Sequence, residues 1–279
     1  MRQFIAETEL DSKGCLYVTG KKFRYLSSVL RCRGGDMIDV RLPDGSLQPM
    51  TVAFINTDEK KITLQVAGTN VTSKNDFHAK AESCLTSKTE FWLFMFAAKP
   101  PKMELIIRQA VECGVAAIVP VEGEFCQKSC IESAIKKSSP SDDRWQRIIT
   151  EARQQSGSPV ETKIYPCMKL QKALELWQTH VKEKCPSEKN SLAIVLYEQT
   201  AGTKTLHECA ATAENITAAC VVSGAEGGIT PDEIALMQDS GFIPVHCRTN
   251  ILRCETAALY GTAALQTVLL EKELWQSKE

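Results

Sequence analysis

Hydrophobic and polar positions follow two rhythms along this chain, and the rhythm changes near residue 70. Before it, short β-prone runs are broken by turn residues: Met37-Ile38-Asp39-Val40, then Pro43-Asp44-Gly45-Ser46, then Met50 to Asn56 and Lys61 to Val66. An Asp-Gly pair between two such runs is a hairpin signal, because both residues tolerate the positive φ of a tight turn. The pattern predicts a small β-barrel over residues 1–70. The polar, weakly patterned residues 71–89 read as a linker.

From residue 90 to 279 strands alternate with helices, which predicts an α/β domain with a parallel sheet. Phe91 to Ala98 is an unbroken apolar run, as a strand covered on both faces requires. Pro100-Pro101 opens a helix with Met103, Ile106, Ile107, Ala110 and Val111 at helical spacing, and Gly114 closes it. Ala116 to Val121 reads as a strand, Asp143 to Ser156 as a helix, and Leu192 to Tyr197 and Ala218 to Ser223 as further strands. Thr230-Pro231-Asp232-Glu233 carries an N-cap, a proline at the first helical position and a capping-box glutamate. Phe242 to His246 is a last short strand and Glu255 to about Leu270 the last helix. That helix is apolar on more than one face, which predicts a homodimer to cover it.

Composition narrows the picture in three places. The chain has 33 basic and 34 acidic residues, so a nucleic-acid footprint must come from local clustering. Residues 12–35 hold Lys13, Lys21, Lys22, Arg24, Arg31 and Arg33 and no acid. That run predicts phosphate contacts by Lys21, Lys22, Arg24, Arg31 and Arg33, the alternative being a solvated face with counter-charges from elsewhere. The 12 cysteines include no C-x-x-C, and Cys126 and Cys130 lack a second pair at zinc-finger spacing, so reduced thiols and no metal are expected. Acids within the first ten residues and the absence of a membrane-length apolar run predict a cytoplasmic protein with no membrane segment.

Candidate chemistry gathers at the ends of the last predicted strands, where open α/β sheets place their ligands. Three segments stand there: Leu196-Tyr197-Glu198, Ser223-Gly224-Ala225-Glu226-Gly227-Gly228, and Asn250-Ile251-Leu252-Arg253-Cys254-Glu255-Thr256. Glycines let backbone groups approach a ligand closely. The spacing G-x-x-G-G is not that of a dinucleotide fingerprint, and Gly202-Thr203-Lys204-Thr205 lacks the glycine that a phosphate loop places before its lysine.

Taken in order, Lys99-x-x-Lys102-Met103-Glu104, Glu112-Cys113-Gly114-Val115 to Pro120, Arg144-Trp145-x-x-Ile148-x-x-Glu151-Ala152, Gln155-Ser156-Gly157, Gly224-x-Glu226-Gly227-Gly228 and Ile251-Leu252-Arg253-x-Glu255-Thr256-Ala257 form a specific series. It resembles the ribosomal RNA small subunit methyltransferase E family nearly end to end. Val29-Leu30-Arg31, Gly35-Asp36 and Asp44-Gly45 match that pattern too. The resemblance implies an N-terminal PUA-like β-barrel for RNA and a C-terminal SPOUT domain with a deep trefoil knot, one of the few exceptions to unknotted chains. It implies S-adenosylmethionine held by Leu196, Tyr197, Glu198, Gly224, Glu226, Gly227, Gly228, Cys247, Asn250, Ile251, Leu252 and Thr256. The implied substrate is a uridine of 16S rRNA or the small ribosomal subunit, methylated at N3 by a homodimer.

The chain departs from the family pattern in named places. I-G-P-E-G-G reads here as Ser223-Gly224-Ala225-Glu226-Gly227-Gly228, and L-G-x-x-I-L-R-T-E-T-A as His246-Cys247-Arg248-Thr249-Asn250-Ile251-Leu252-Arg253-Cys254-Glu255-Thr256-Ala257. The family's S-E-R stands as Gly123-Glu124-Phe125 and its S-G-R as Ser156-Gly157-Ser158. Methylating N3 of uracil requires removing its proton and stabilising the resulting charge. Arg253 is the candidate cation, and Glu226 and Glu255 are the candidate bases. An Arg253–Glu255 ion pair at a helix start is the competing structural explanation. A weakly active relative acting as an RNA-binding assembly factor, or a methyltransferase of another RNA position, would carry the same motifs.

Overall fold

The computed structural model of the protein describes residues 3–67, 88–211 and 215–276, with side chains in the last helix through Glu271. Two compact units divide it: Met1–Thr86 with Arg153–Pro159, and Ser87–Ala152 with Val160–Glu279. Most of the expected linker lies outside the described residues. Thr89 already belongs to the second unit, its buried hydroxyl donating to Ile216 O at 2.6 Å.

The first unit is built on strands β1 (Gln3–Ile5), β2 (Cys15–Val18), β3 (Met37–Arg41), β4 (Leu47–Asn56) and β5 (Lys61–Val66). They form one sheet in the order β1-β3-β4-β5-β2, parallel between β1 and β3 and antiparallel elsewhere. The β3–β4 hairpin stands where Asp44-Gly45 predicts it: Gly45 has φ +85°, and Ser46 N donates to Asp44 Oδ1 at 2.8 Å. Phe4, Leu26, Val40, Met50, Val52, Ile62 and Leu64 fill the core. A bulge between Val52 and Phe54 breaks the alternation and leaves Phe54 exposed. The pattern gave no sign of β2 or of helix α1 (Gly20–Arg24), which a π turn (Tyr25–Val29) extends. Both are short, and their apolar residues sit among lysines and arginines. Phe23 is buried there and belongs to the core.

In the second unit the elements run β6 (Glu90–Phe96), α2 (Pro100–Glu112), β7 (Ala117–Glu122), α3 (Lys128–Lys137), α4 (Arg144–Ser156), β8 (Lys163–Ile164), β9 (Met168–Lys169), α5 (Leu170–Lys184), β10 (Ser191–Leu196), α6 (Leu206–Ala211), β11 (Ala218–Ser223), α7 (Pro231–Asp239), β12 (Ile243–Val245) and α8 (Cys254–Gln276). All seven strands are parallel, in the order β12-β10-β11-β6-β7-β8 with β9 also on β7. Alternation along β6 explains its unbroken apolar run. Phe91, Leu93 and Met95 pack into a core with residues of α2, α4 and α8, while Trp92, Phe94 and Phe96 pack into a second core with residues of α5 and α7. Each such side chain stabilises by about 1.5–3 kcal/mol on burial, so helices on both faces follow from the composition of the central strand.

The predicted helix ends are present. Gly114 has φ +72° just past α2, and Thr230 and Glu233 form a reciprocal capping box at α7. Helices α3, α5 and α6 and the two-residue strands β8 and β9 lay outside the expected pattern. α5 buries Leu170, Ala173, Leu174, Trp177 and Val181 at clear helical spacing, so its signal was present in the sequence. Among the described residues no helix is long and apolar enough to cross a membrane.

Candidate active site

Because the sheet is parallel, the loops after β10, β11 and β12 emerge at one edge and enclose a cleft of about 300 Å³. That volume is at the small end of the range for small-molecule sites. Leu196, Tyr197, Glu198, Gly224, Glu226, Gly227, Gly228, Cys247, Asn250, Ile251 and Leu252 all line it, so these predicted positions come together. Thr256 does not: it is exposed on α8, away from the wall. Ser223, Ala225 and Cys254 of the predicted segments also line the cleft, as do Ile229, Val245, His246, Thr249 and Ala257, none of which the sequence marks as a cofactor contact. Their place in or beside the same three loops was the available signal.

Close backbone packing holds these loops. Gly228 N donates to Ala225 O at 3.0 Å, with Gly228 at φ +82°, where a Cβ would be strained. A Cβ on Gly227 would stand 2.8 Å from Phe125 Cβ and Phe125 O, so this glycine is required by the neighbouring 123–126 loop. On the opposite wall Tyr197 N donates to Val245 O at 3.0 Å, and His246 Nδ1 lies 3.2 Å from Tyr197 O. Gly261 of α8 has no room for a Cβ, which would stand 2.5 Å from Leu196 Cδ1. The last helix therefore presses directly on a cleft residue.

A charged cluster stands beside the cleft. Lys102, on the first turn of α2, places Nζ 2.9 Å from Glu255 Oε2, 3.5 Å from Glu226 Oε1 and 3.7 Å from Cys254 Sγ. Glu226 Oε1 also accepts from Lys99 N at 3.3 Å, and the Cys254 thiol donates to Glu255 Oε2 at 3.3 Å. Burial pushes Glu255 upward, but bonds from its own backbone N–H, from Lys102 and from the thiol outweigh it and take the carboxyl down to about 2. Lys102 is raised, chiefly by its bond to Glu255. Cys254 is pushed up to about 12, first by burial and then by Glu255, and so stays a thiol.

These contacts redistribute the expected roles. Glu255 is paired with Lys102, not with Arg253, and a carboxylate held near 2 is a weak proton acceptor. Glu226 lines the cleft, and among the described residues its Oε2 has no bonding partner. Arg253 is exposed and outside the cleft wall, with no ion pair among the described residues. Lys102 belongs to a motif read in the sequence but was not picked as a site residue. Its position one turn beyond the central strand, on the ligand edge of the sheet, was the signal.

In the first unit Lys22 pairs with Glu7 at 2.9 Å and donates to Ile5 O at 3.0 Å. Lys21, Arg24, Arg31 and Arg33 are exposed and carry no ion pair among the described residues. Among the described residues no group of three or more His, Cys, Asp or Glu side chains is arranged to hold a metal.

A parallel sheet with a cleft at its strand ends and a lysine–carboxylate cluster beside it defines a small-molecule-dependent enzyme of the α/β class. The chain belongs to the RNA methyltransferase domain family, whose model matches residues 86–266. It is 25% identical to ribosomal RNA small subunit methyltransferase E of Bacillus subtilis, over 96% of this chain and 98% of that protein. The second methyltransferase of that name in Borreliella burgdorferi is 24% identical, with the same coverage of each. Among solved structures, ribosomal RNA small subunit methyltransferase E from Neisseria gonorrhoeae bound to S-adenosyl methionine superimposes with a TM-score of 0.71 at 24% identity, covering 96% of this chain and 98% of that one. A putative methyltransferase from Legionella pneumophila, in complex with the same cofactor, gives 0.71 at 21% identity, covering 95% and 97%. These likenesses establish a shared fold.

Proposed function

We propose that the protein transfers a methyl group from S-adenosylmethionine to N3 of a uridine in 16S rRNA. The observation that carries this reading is the cleft itself, together with the full-length likeness to ribosomal RNA small subunit methyltransferases E. Its walls carry the carboxylates Glu198 and Glu226 and neither lysine nor arginine, which suits a ligand with a sulfonium and an ammonium charge. When bound, S-adenosylmethionine supplies an electrophilic methyl group. The loops at 196–198, 223–229 and 245–252 would hold it, largely through backbone N–H and C=O groups.

The chain's own task is then to receive a uridine and manage its proton. Glu226, with one oxygen fixed by Lys99 N and Lys102 and the other without a partner among the described residues, is the base that takes the N3 proton. Glu255 balances Lys102 and so fixes that cation beside Glu226. Arg253, which has no ion pair among the described residues, meets the charge that spreads onto the uracil oxygens. Lys21, Arg24, Arg31 and Arg33 of the first unit contact RNA phosphates, while Lys22 serves mainly to hold β1 through Ile5 and Glu7.

The finer architecture belongs to the same proposal. Residues 1–70, most of the first unit, are a PUA-like barrel, and residues 90–279, which make up most of the second, are a SPOUT domain with a trefoil knot. The return of α8 from the edge strand β12 to pack on β11 and β6 supports that threading. A homodimer is supported by Leu105 of α2 and Tyr260 and Leu270 of α8, exposed on two helices that pack together. Sedimentation showing a stable monomer at micromolar concentration would remove the dimer. The cytoplasm is where such an enzyme meets its substrate. The decisive experiment is mass spectrometry of small-subunit rRNA from cells with and without the gene, beside calorimetry with S-adenosylmethionine. An unchanged methyluridine content together with tight cofactor binding would redirect the search to another nucleotide. No cofactor binding would leave an RNA-binding assembly factor.

A further inference from the structure

We propose that Phe125 is a stacking platform for an RNA base next to the one being methylated, an inference that rests on the methyltransferase reading above. Phe125 is 51% exposed, a large aromatic in the loop after β7 at the ligand edge of the sheet. That loop is fixed from three sides. Glu124 N donates to Glu233 Oε1 at 2.8 Å, and the other oxygen of the same carboxylate accepts from Thr230 N at 2.9 Å in the α7 capping box. Cys126 N closes a turn on Gly123 O at 3.1 Å, and a Cβ on Gly123 would overlap the Phe96 ring. On the third side Phe125 Cβ and O lie against Gly227, a wall residue of the cleft, so closely that a Cβ there would stand 2.8 Å from both.

The two glycines therefore let one loop seat against Phe96 and Gly227 while Phe125 remains half exposed. An exposed ring would gain apolar stabilisation by burial, so a ring held outside on an anchored loop is pre-organised for a planar partner. Gly227 lines the cleft and Phe125 does not. A base on Phe125 thus lies beside the target nucleotide and not in its place. Stacking on an aromatic ring accepts any base, since each has a π-face, so Phe125 sets RNA affinity more than sequence choice. Where the family pattern has an arginine this chain has Phe125, and an aromatic contact would be insensitive to salt.

The test compares full-length wild type with Phe125→Ala, Phe125→Leu and Phe125→Trp. It measures binding of a 16S rRNA transcript at two salt concentrations, with S-adenosylmethionine affinity by calorimetry. The expected result is a loss of RNA affinity of roughly 5- to 100-fold in the alanine and leucine variants, retention in the tryptophan variant and unchanged cofactor affinity in all. The salt slope should not change. Wild-type RNA affinity in the alanine variant overturns the inference, and so does full rescue by leucine, which would make the contact apolar packing. Joint loss of RNA and cofactor binding also overturns it, because Phe125 would then only support the Gly227 turn. A wild type that binds RNA but no cofactor defeats the methyltransferase reading and leaves this contact to stand or fall on the RNA data. A wild type that binds no RNA defeats both.

Discussion

Two ion clusters hang from the first turns of α2, and their chemistry is nearly mirror-image. Lys102 is one cation between two carboxylates, Glu226 and Glu255, whereas Glu104 is one carboxylate between two cations, Lys137 and Arg144. One carboxylate of each cluster, Glu255 in the first and Glu104 in the second, is held near 2. The difference lies in what else the partners do. Glu226 and Cys254, beside Lys102, form part of the cleft wall, and none of the Glu104 cluster does. Lys137 and Arg144 come instead from α3 and α4, so that cluster ties three helices together. Perturbed titration alone therefore does not mark a functional site; the ligand surface that the group shares does.

The comparison breaks first, if it breaks, at Glu226. Replacing it by glutamine keeps its size but removes the proton acceptor, so methyl transfer should fall about 10²–10⁴-fold with thermal stability nearly unchanged. Turnover within a factor of about three of wild type would remove Glu226 as the base. Lys102→Met should come next. It leaves Glu226 and Glu255 without their shared cation, so turnover should drop by about tenfold or more. Wild-type turnover in this variant would mean that Lys102 serves only to pack α2.

How much of this was legible in the sequence differs between the two clusters. The cleft was largely readable, because its residues sit in three short segments at predicted strand ends and the sheet had to be parallel. The parts that escaped reading depend on distance in three dimensions. Lys102 and Glu255 are far apart in sequence, so neither their pairing nor the release of Arg253 from Glu255 was visible. Gly227 also has a packing reason to be glycine that the sequence does not show, since Phe125 occupies the direction of its Cβ. On the fold, the alternating strands and capped helices announced themselves. β2 and α1 did not, because five helical residues and four strand residues give too little periodicity to stand out in a basic run.

A third set of charges extends the comparison, since Arg31 and Arg33 are exposed and have no ion pair among the described residues. Charges without internal partners should contribute little to stability and much to RNA affinity. Reversing both to glutamate should weaken RNA binding by tenfold or more and make the dependence of log K on log salt shallower by about 0.7–0.9 per lost contact. Cofactor affinity should stay that of wild type. Equal RNA affinity with the same slope would make the run a solvated face and move the footprint to the second unit.

The smallest expected effect is at Glu104, and its pH dependence is the sharpest contrast with the cleft. The Arg144 guanidinium bonds both carboxylate oxygens, at 3.2 and 2.6 Å. That contact, against the upward push of burial and with the help of Lys137, takes Glu104 from an ordinary 4.5 to about 2. A lowered folded-state pKa contributes stability that is fully present above the unfolded value and lost as the pH falls through the folded one. Glu104→Gln should therefore be less stable than wild type at neutral pH, by on the order of 1–2 kcal/mol because Arg144 is half exposed and screened. The difference should shrink between about pH 4.5 and 2 and vanish below that. Glu255 loses its own contribution over the same window in both proteins, so only the difference between the two denaturation curves isolates Glu104. Methyl transfer at neutral pH should be unaffected below the melting temperature. A variant as stable as wild type at pH 7, or one whose deficit persists at pH 2, would show that the α2–α3–α4 junction is held by its apolar contacts alone. A variant that folds normally but loses activity would erase the division between the two clusters.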